Sequence, residues 1–540
     1  MPLEMLSKIP FVHPRLFYMF VLPKPCNMSL PPCLLNGRIL IVLLNFVFAS
    51  PLFAQDSHYW TQQFGSRSAL LGGAVVGGVR DNSAVYYNPG ALAQMDSLTV
   101  SVSANAYQLD QLNITDGAGQ GLDLNSSQTQ IIPLMISGVY RFKKAPRHTL
   151  GYSIIGKHQT GIKFSARTDG FLDVIQESNS PGAEEFIGQF NHKSGLNEQL
   201  FGLTYAYKFN RRFSLGVTHY LAYRTQYLEE TYVARAIPDI NEYYYSFVAP
   251  LVATNILYSA EFSNLRALWK LGFSIDLDRL KLGATLTTPS IDFGGSAMVN
   301  ADQSATNLNW LASEWSNYAN PDTMSYTQLV VASDEFRYDQ LYSFTANDRQ
   351  QDLKTLYKSP LSIAIGAQYQ FGKTSLSATA EWFQAVPLYY QVIPKDKEFI
   401  RPVSIDYDLS SKDILAFRES SKSVTNIAIG IEQEITPKWH LLAGARTNYS
   451  AYESHDEEDG DQLTYTSWDL YHLTLGATIK NEKSDLSVGI NYGFGTDRNF
   501  TQPVNFSNAN EYNYLLGESV PVNAQFSSIG LIIGYTYYLK

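Results

Sequence analysis

Cysteine is nearly absent. The chain of 540 residues has two, Cys26 and Cys33, and everything after position 33 is free of thiols and disulfides, which suits an exported protein that avoids oxidation chemistry. Charge is scarce as well: Asp, Glu, Lys and Arg make up 17% of the residues, against about 25% in ordinary soluble domains. The net charge of −10 leaves no basic footprint for nucleic acid. Beyond Ala54 no uninterrupted apolar run approaches the roughly 18 residues of a membrane helix. Catalytic signatures are missing too. His158, His219, His440 and His472 are isolated in sequence, with no HExxH, no nucleophile elbow and no glycine-rich phosphate loop, so no enzyme, metal or cofactor is expected. The acidic stretch 453–461 puts His455 where a calcium loop needs its first carboxylate, which removes that pattern. A hydrolase whose His and Ser or Asp meet only in space is the one enzymatic class that spacing does not address.

What is abundant is aromatic: 13% of the chain, with 36 Tyr and 29 Phe. A protein that faces something apolar without a membrane helix must be a closed β-barrel, because lipid leaves no other way to pair every backbone group. The first 54 residues read as targeting. Arg38 precedes the apolar run ILIVLLNFVFA, and SPLFA ends at Ala54 before Gln55, in the order of a signal peptide. What precedes Gly37 is unusual for such a signal, so either translation starts at Met28 or an extension is removed with it.

Period-two alternation dominates the remainder. In GLTYAY (202–207), Leu203, Tyr205 and Tyr207 share one face while Gly202, Thr204 and Ala206 share the other. LSIAIGAQYQF (361–371) and DLSVGINYGF (485–494) repeat the pattern. The polar face is Gly, Ser, Thr, Asn and Gln rather than Lys and Glu, as for a lumen opposite a lipid-facing band. Short links at 143–148, 209–212, 276–279, 371–373, 435–438 and 480–484 alternate with long polar segments. That rhythm is one of short inner turns and long outer loops. It predicts fourteen antiparallel strands over 98–540, starting near Leu98, Gln130, His148, Gln199, Phe213, Leu265, Leu280, Pro360, Thr374, Thr425, Trp439, Trp468, Asp485 and Phe526. The strand-like stretch 242–262 would break the parity and is assigned to an external loop. The large loops then lie near 231–264 and 293–359.

Residues 55–97 are left over before the first strand. The stretch SALLGGAVVGGVRDNSAVYYNPGALAQM (68–95) is too rich in Gly and Ala to span, has a helix-like piece at 67–79 and a turn at Asn88-Pro89-Gly90, and suits a plug, since close approach favours small residues.

These residues resemble the N-terminal hatch of the outer-membrane long-chain fatty acid transporter family, which includes aromatic hydrocarbon channels. Asp81, Ser83, Tyr86, Tyr87, Asn88 and Pro89 match its motif, while Gly90-Ala91-Leu92 exchanges the order of the next two small residues. The resemblance implies an all-β transmembrane barrel of about fourteen strands in the bacterial outer membrane, plugged by a hatch. It implies passive uptake of a hydrophobic small molecule, a fatty acid or an aromatic hydrocarbon, with hatch movement and lateral release through a break in the third strand. On that strand Gly156, Lys157, His158 and Gly161 are the candidate gate. Loop aromatics Tyr244, Phe247, Trp310 and Trp315 are candidate ligand contacts, and Lys157, Lys163, Arg224 and Arg446 are candidate inward cations for a carboxylate head group. The expected surroundings are outer-membrane lipid and lipopolysaccharide, and the expected state is a monomer. Two readings compete: a barrel resembling the shuttle subunit of the type IX secretion system, which binds protein cargo with a secretion partner, and a general porin, which a hatch disfavours.

Overall fold

The structure, a computed structural model, describes residues 57–95, 98–175, 182–237, 251–307, 343–397, 400–401, 411–453, 467–510 and 513–539. These all belong to one compact unit. Alternation of apolar and small polar residues is realised as strands almost throughout. In chain order they are β1 (Leu98–Ile114), β2 (Leu124–Arg141), β3 (His148–Leu172), β4 (Glu184–Lys208), β5 (Phe213–Ile237), β6 (Val252–Leu277), β7 (Leu280–Thr287), β8 (Ile291–Asp292), β9 (Ser296–Thr306) and β10 (Ser343–Lys354). There follow β11 (Ser362–Phe371), β12 (Thr374–Phe383), β13 (Val386–Val392), β14 (Ile400–Arg401), β15 (Phe417–Ser421), β16 (Val424–Glu434), β17 (Trp439–Asn448), β18 (Leu470–Lys480), β19 (Ser484–Thr501) and β20 (Pro521–Leu539).

Fourteen of them close an antiparallel ring. β1 through β7 pair in succession. β7 pairs β11, which continues through β12, β16, β17, β18 and β19 to β20. β20 returns to β1, from Leu98 opposite Leu539 to Ile114 opposite Ala524. The expected fourteen strands and their order are those observed.

The alternation sets which face is outside. Leu203, Ile365 and Ile429 are 68%, 62% and 59% exposed, and Val488, Ile490 and Tyr492 follow the same outward parity. Gly202, Thr204, Ala206, Ser487 and Asn491 are buried on the inward one. This outer band is apolar and carries aromatics towards its edges, such as Phe371 and Trp439 near the short turns and Tyr223 and Tyr471 near the other end. Among the described residues no helix is long and apolar enough to cross a membrane.

The strand starts expected near Gln199 and Leu265 require correction, since β4 begins at Glu184 and β6 at Val252. β3, β4 and β5 have 25 residues each and β6 has 26, whereas spanning takes about 9–11. Of the stretch 242–262 assigned to a loop, residues from Val252 onward are instead the first half of β6, with Ala253 to Phe262 pairing β9, and 242–250 lie outside the described residues. β9 in turn pairs β10, inside the expected loop at 293–359. The barrel wall therefore rises well past the apolar band as a tall polar collar. Its outward residues Lys193, Asn197 and Glu229 are hydrophilic, so a reading keyed to lipid-facing residues ended those strands too early.

Replacing an outward residue at the middle of the band tests this assignment. Ile429→Lys is expected to lower barrel stability by about 2–4 kcal/mol, measured as a shift of the urea unfolding midpoint in lipid vesicles, whereas Ser487→Ala on the inward face is expected to change it far less.

Candidate functional site: a filled lumen, a buried charge cluster and an interrupted wall ladder

Residues 57–95 pack against inward faces from every sector of the ring. Ser66 bonds Thr536 of β20 at 3.1 Å, Thr474 of β18 donates to the Leu70 carbonyl at 2.8 Å, and the Val76 N–H donates to Thr379 of β12 at 3.2 Å. Tyr220 of β5 donates to the Val85 carbonyl at 2.6 Å. The helix-like piece expected at 67–79 is much shorter. Only α1 (Ser66–Leu70) is helical, because Gly72 and Gly73 turn the chain at φ of 64° and 82°, a conformation that favours glycine.

Asp81 organises the segment. Its carboxylate accepts from the N–H groups of Arg67 at 2.9 Å, Ser68 at 3.0 Å and Ser83 at 3.1 Å, and from the hydroxyls of Ser68 and Ser83. Arg67 then reaches the wall, with Nε 2.8 Å from Glu432 of β16. α2 (Ala84–Tyr87) follows, and Pro89 opens a 3-10 helix (Pro89–Gln94). Asn88 caps that helix by accepting from the Gly90 N–H at 3.1 Å, while its amide donates to the carbonyls of Val76 at 2.9 Å and Phe273 at 3.0 Å. A Cβ on Gly90 would come within 2.5 Å of the Gly272 carbonyl oxygen, so the turn needs glycine there. Tyr87 accepts from the Phe64 N–H and donates to Gln63 at 2.7 Å. Burial pushes its phenol above the ordinary range, which keeps it a donor. Tyr86 lies edge-on to Phe64, with the Lys270 ammonium 4.8 Å from its ring centre.

Above this segment the inner wall holds a cluster that the sequence reading missed in part. Glu198 of β4, 0% exposed, meets Arg266 of β6 at 2.6 Å, Arg224 of β5 at 3.3 Å and Lys157 of β3 at 3.3 Å. The Arg224 and Arg266 guanidinium groups lie 4.2 and 4.3 Å from the Tyr357 ring centre. Three cations thus surround one carboxylate, and Arg266, 1% exposed, keeps Nη1 without a partner. Lys157, Glu198 and Arg266 border a small cavity of about 60 Å³, as do Lys270 and Glu381. The inward parity that exposes Leu203 to lipid also points Glu198 inward, and Arg266 shares the face of Lys270 and Gly272. Parity was the signal that could have found them.

The other expected cations divide. Arg446 is buried, but its guanidinium donates to the carbonyls of Trp60 at 3.2 Å and Thr61 at 3.0 Å, so it fastens the N-terminal segment. Lys163 is exposed and does not face the lumen. A bulge at Lys157, between Gly156 and His158 in the register with β4, reverses the inside and outside parity of the residues beyond it. Tyr244, Phe247, Trp310 and Trp315 lie outside the described residues. Among the described residues no group of three or more His, Asp or Glu is placed to hold a metal.

The same bulge marks a seam. β2 and β3 pair from Arg141 opposite Thr149 only as far as Met135 opposite Ile155, although both strands continue, β2 to Leu124 and β3 to Leu172. β2 is bulged here as well, since Met135 and Pro133 face adjacent residues of β1, Ser103 and Ala104. Pro133 has no N–H to offer a ladder. Gly156 lies at the end of the ladder, where a Cβ would meet the Pro133 carbonyl oxygen at 2.5 Å. Past the seam a cavity of about 270 Å³ is lined by Ser126 of β2 and by His158, Gly161 and Ile162 of β3. Gly156, Lys157 and His158 thus lie where this ladder ends and Gly161 beyond it, with Pro133 across from Gly156.

No protein-family model matches the sequence, and no curated protein matches it. Solved structures do. A FadL homologue from Pseudomonas aeruginosa is 13% identical with a TM-score of 0.53, covering 89% of this chain and 100% of its own. A mutant of the monoaromatic hydrocarbon channel TodX gives the same identity, score and coverage. The Pseudomonas putida toluene transporter TodX is 12% identical at a TM-score of 0.50, covering 88% of this chain and 98% of its own. This chain shares their fold. With so little identity, the likeness lies in the strand pattern of the barrel.

Glu198→Gln is expected to destabilise the barrel by about 3–5 kcal/mol, because it leaves buried cations unpaired. The double variant Glu198→Gln with Arg266→Met is expected to recover part of that loss. Urea midpoints of the three proteins measure it.

Proposed function

We propose that this chain is an outer-membrane channel for the passive uptake of hydrophobic compounds, in which residues 57–95 act as the hatch and the solute leaves sideways between β2 and β3. The observation that carries the reading is the interrupted ladder. An apolar solute gains roughly 0.8 kcal/mol per CH₂ on moving from water into lipid, so an exit through the wall serves it where a watery exit below the hatch does not. The segment bonded all round the ring is what disfavours a general pore. Supporting the reading further, the similar structures bear the names of a FadL homologue, a monoaromatic hydrocarbon channel and a toluene transporter. The excess of cations around Glu198 favours solutes that carry a carboxylate, such as long-chain fatty acids, over plain hydrocarbons.

The seam can be closed chemically, since no cysteine follows Cys33 and the Lys163 N–H already donates to Ser126 Oγ at 3.1 Å. Oxidised Ser126→Cys with Ile162→Cys is expected to slow uptake of a radiolabelled fatty acid at least tenfold, with recovery on reduction. Uptake that continues through a crosslink verified by mass spectrometry counts against lateral exit.

Asp81→Ala removes the acceptor that gathers Arg67, Ser68 and Ser83. Ion conductance in planar bilayers is expected to rise several-fold, and an unaltered conductance from a barrel that still shifts on heating in gels counts against the hatch.

A further inference from the structure

The collar above the apolar band holds a hydrogen-bonded chain that uptake does not need. His192 of β4 stands directly opposite Glu230 of β5 in the register, with Nδ1 2.8 Å from Glu230 Oε1. Its other ring nitrogen, Nε2, is 2.8 Å from Ser194 Oγ, two residues further on the same face of β4. The Tyr232 hydroxyl donates to the second Glu230 oxygen at 3.3 Å and steadies it. His192 is 1% exposed and Glu230 7%, while Ser194 is half-buried. Both Ser194 and His192 line the cavity of about 270 Å³ that also touches the seam.

We infer that Ser194, His192 and Glu230 form a nucleophile, base and orienting carboxylate, and that the collar hydrolyses carboxylic esters with apolar acyl chains. The distances are those of such a chain, with the base bonded to the nucleophile through one nitrogen and to the carboxylate through the other. The apolar acyl chain is accommodated by Leu112, Ile162, Leu196, Leu228 and Phe526, which line the same cavity. Gln226, the diagonal cross-strand neighbour of Ser194, lines the cavity with its carbonyl held by Arg224 at 3.3 Å. Its amide N–H groups supply donors for an oxyanion.

In the reaction Ser194 Oγ attacks the acyl carbonyl carbon and its proton passes to His192 Nε2. The ester C–O bond breaks, and the alkoxide leaves with that proton as the alcohol. Water then attacks the acyl-serine, giving up a proton to His192, which returns it to Ser194 as the carboxylic acid departs. No redox partner is involved. The Lys157, Arg224 and Arg266 cluster lies four residues along β4 from Ser194, about 13 Å, and suits the carboxylate so released.

The experiment uses the detergent-purified full chain with a fluorophosphonate probe and p-nitrophenyl octanoate. Ser194 is expected to carry the probe by peptide mass spectrometry. Ser194→Ala and His192→Gln are each expected to abolish labelling and to lower ester turnover at least 100-fold. Glu230→Gln is expected to lower kcat at least tenfold with KM within twofold, a split that a merely structural role would not give. Labelling at another residue, or turnover that survives Ser194→Ala, overturns the proposal. So does a lack of both from protein that still shifts on heating. Binding of labelled toluene and fatty acid by the same wild-type sample reads the channel function separately.

Discussion

Backbone pairing is the constraint on which everything else in this barrel depends. In a medium without water each unpaired N–H or C=O costs several kcal/mol, so the ring closes along the full length of β1 against β20. Every neighbouring pair of barrel strands is laddered, and the pair β2 and β3 parts company partway although both strands run on. The interruption is built rather than accidental: it coincides with a proline on one strand, a glycine on the other, and a bulge in each. The place where the rule is relaxed is where the wall can serve a purpose other than enclosure.

Filling the lumen creates a second accounting problem, since a segment of some forty residues brings its own polar backbone into a buried place. Carboxylates and amides answer it. Asp81 takes up five donors within the segment, Asn88 joins it to β6, and Arg446 and Glu432 fasten it from the wall. These bonds are distributed over the whole circumference, so the segment is held by many modest contacts instead of a single apolar interface.

Much of this was legible beforehand. Strict alternation with a small-residue inner face gave the strands, and the regular placement of short links gave their number, because both follow directly from pleat and closure. Asp81 and Asn88, which organise the N-terminal segment, stood out through the motif they match. What stayed hidden depends on spatial neighbours. The parity of Lys163 is reversed by a bulge that leaves no mark in a single strand. Tyr357, near two guanidinium groups, comes from a connection far along the chain. Ser194 and His192 form a motif only with Glu230, whose place opposite them is set by the register of a 25-residue ladder. Residues of the tall collar were also misjudged, because an outward face meeting water rather than lipid does not repeat the apolar signal.

The join between the N-terminal segment and the wall limits how the lumen can open. Met95 is the last residue before two connecting positions, and Leu98 already pairs Leu539 at the foot of the barrel. Three trans peptide steps reach at most about 11 Å. The C-terminal end of the segment is therefore on a short leash, while its N-terminal end is held by hydrogen bonds, among them the Ala451 N–H to the Ser57 carbonyl and Trp60 to Glu381 of β12 and Asn448 of β17. Any displacement of the segment is therefore limited at its Met95 end, where the link to the wall is shortest.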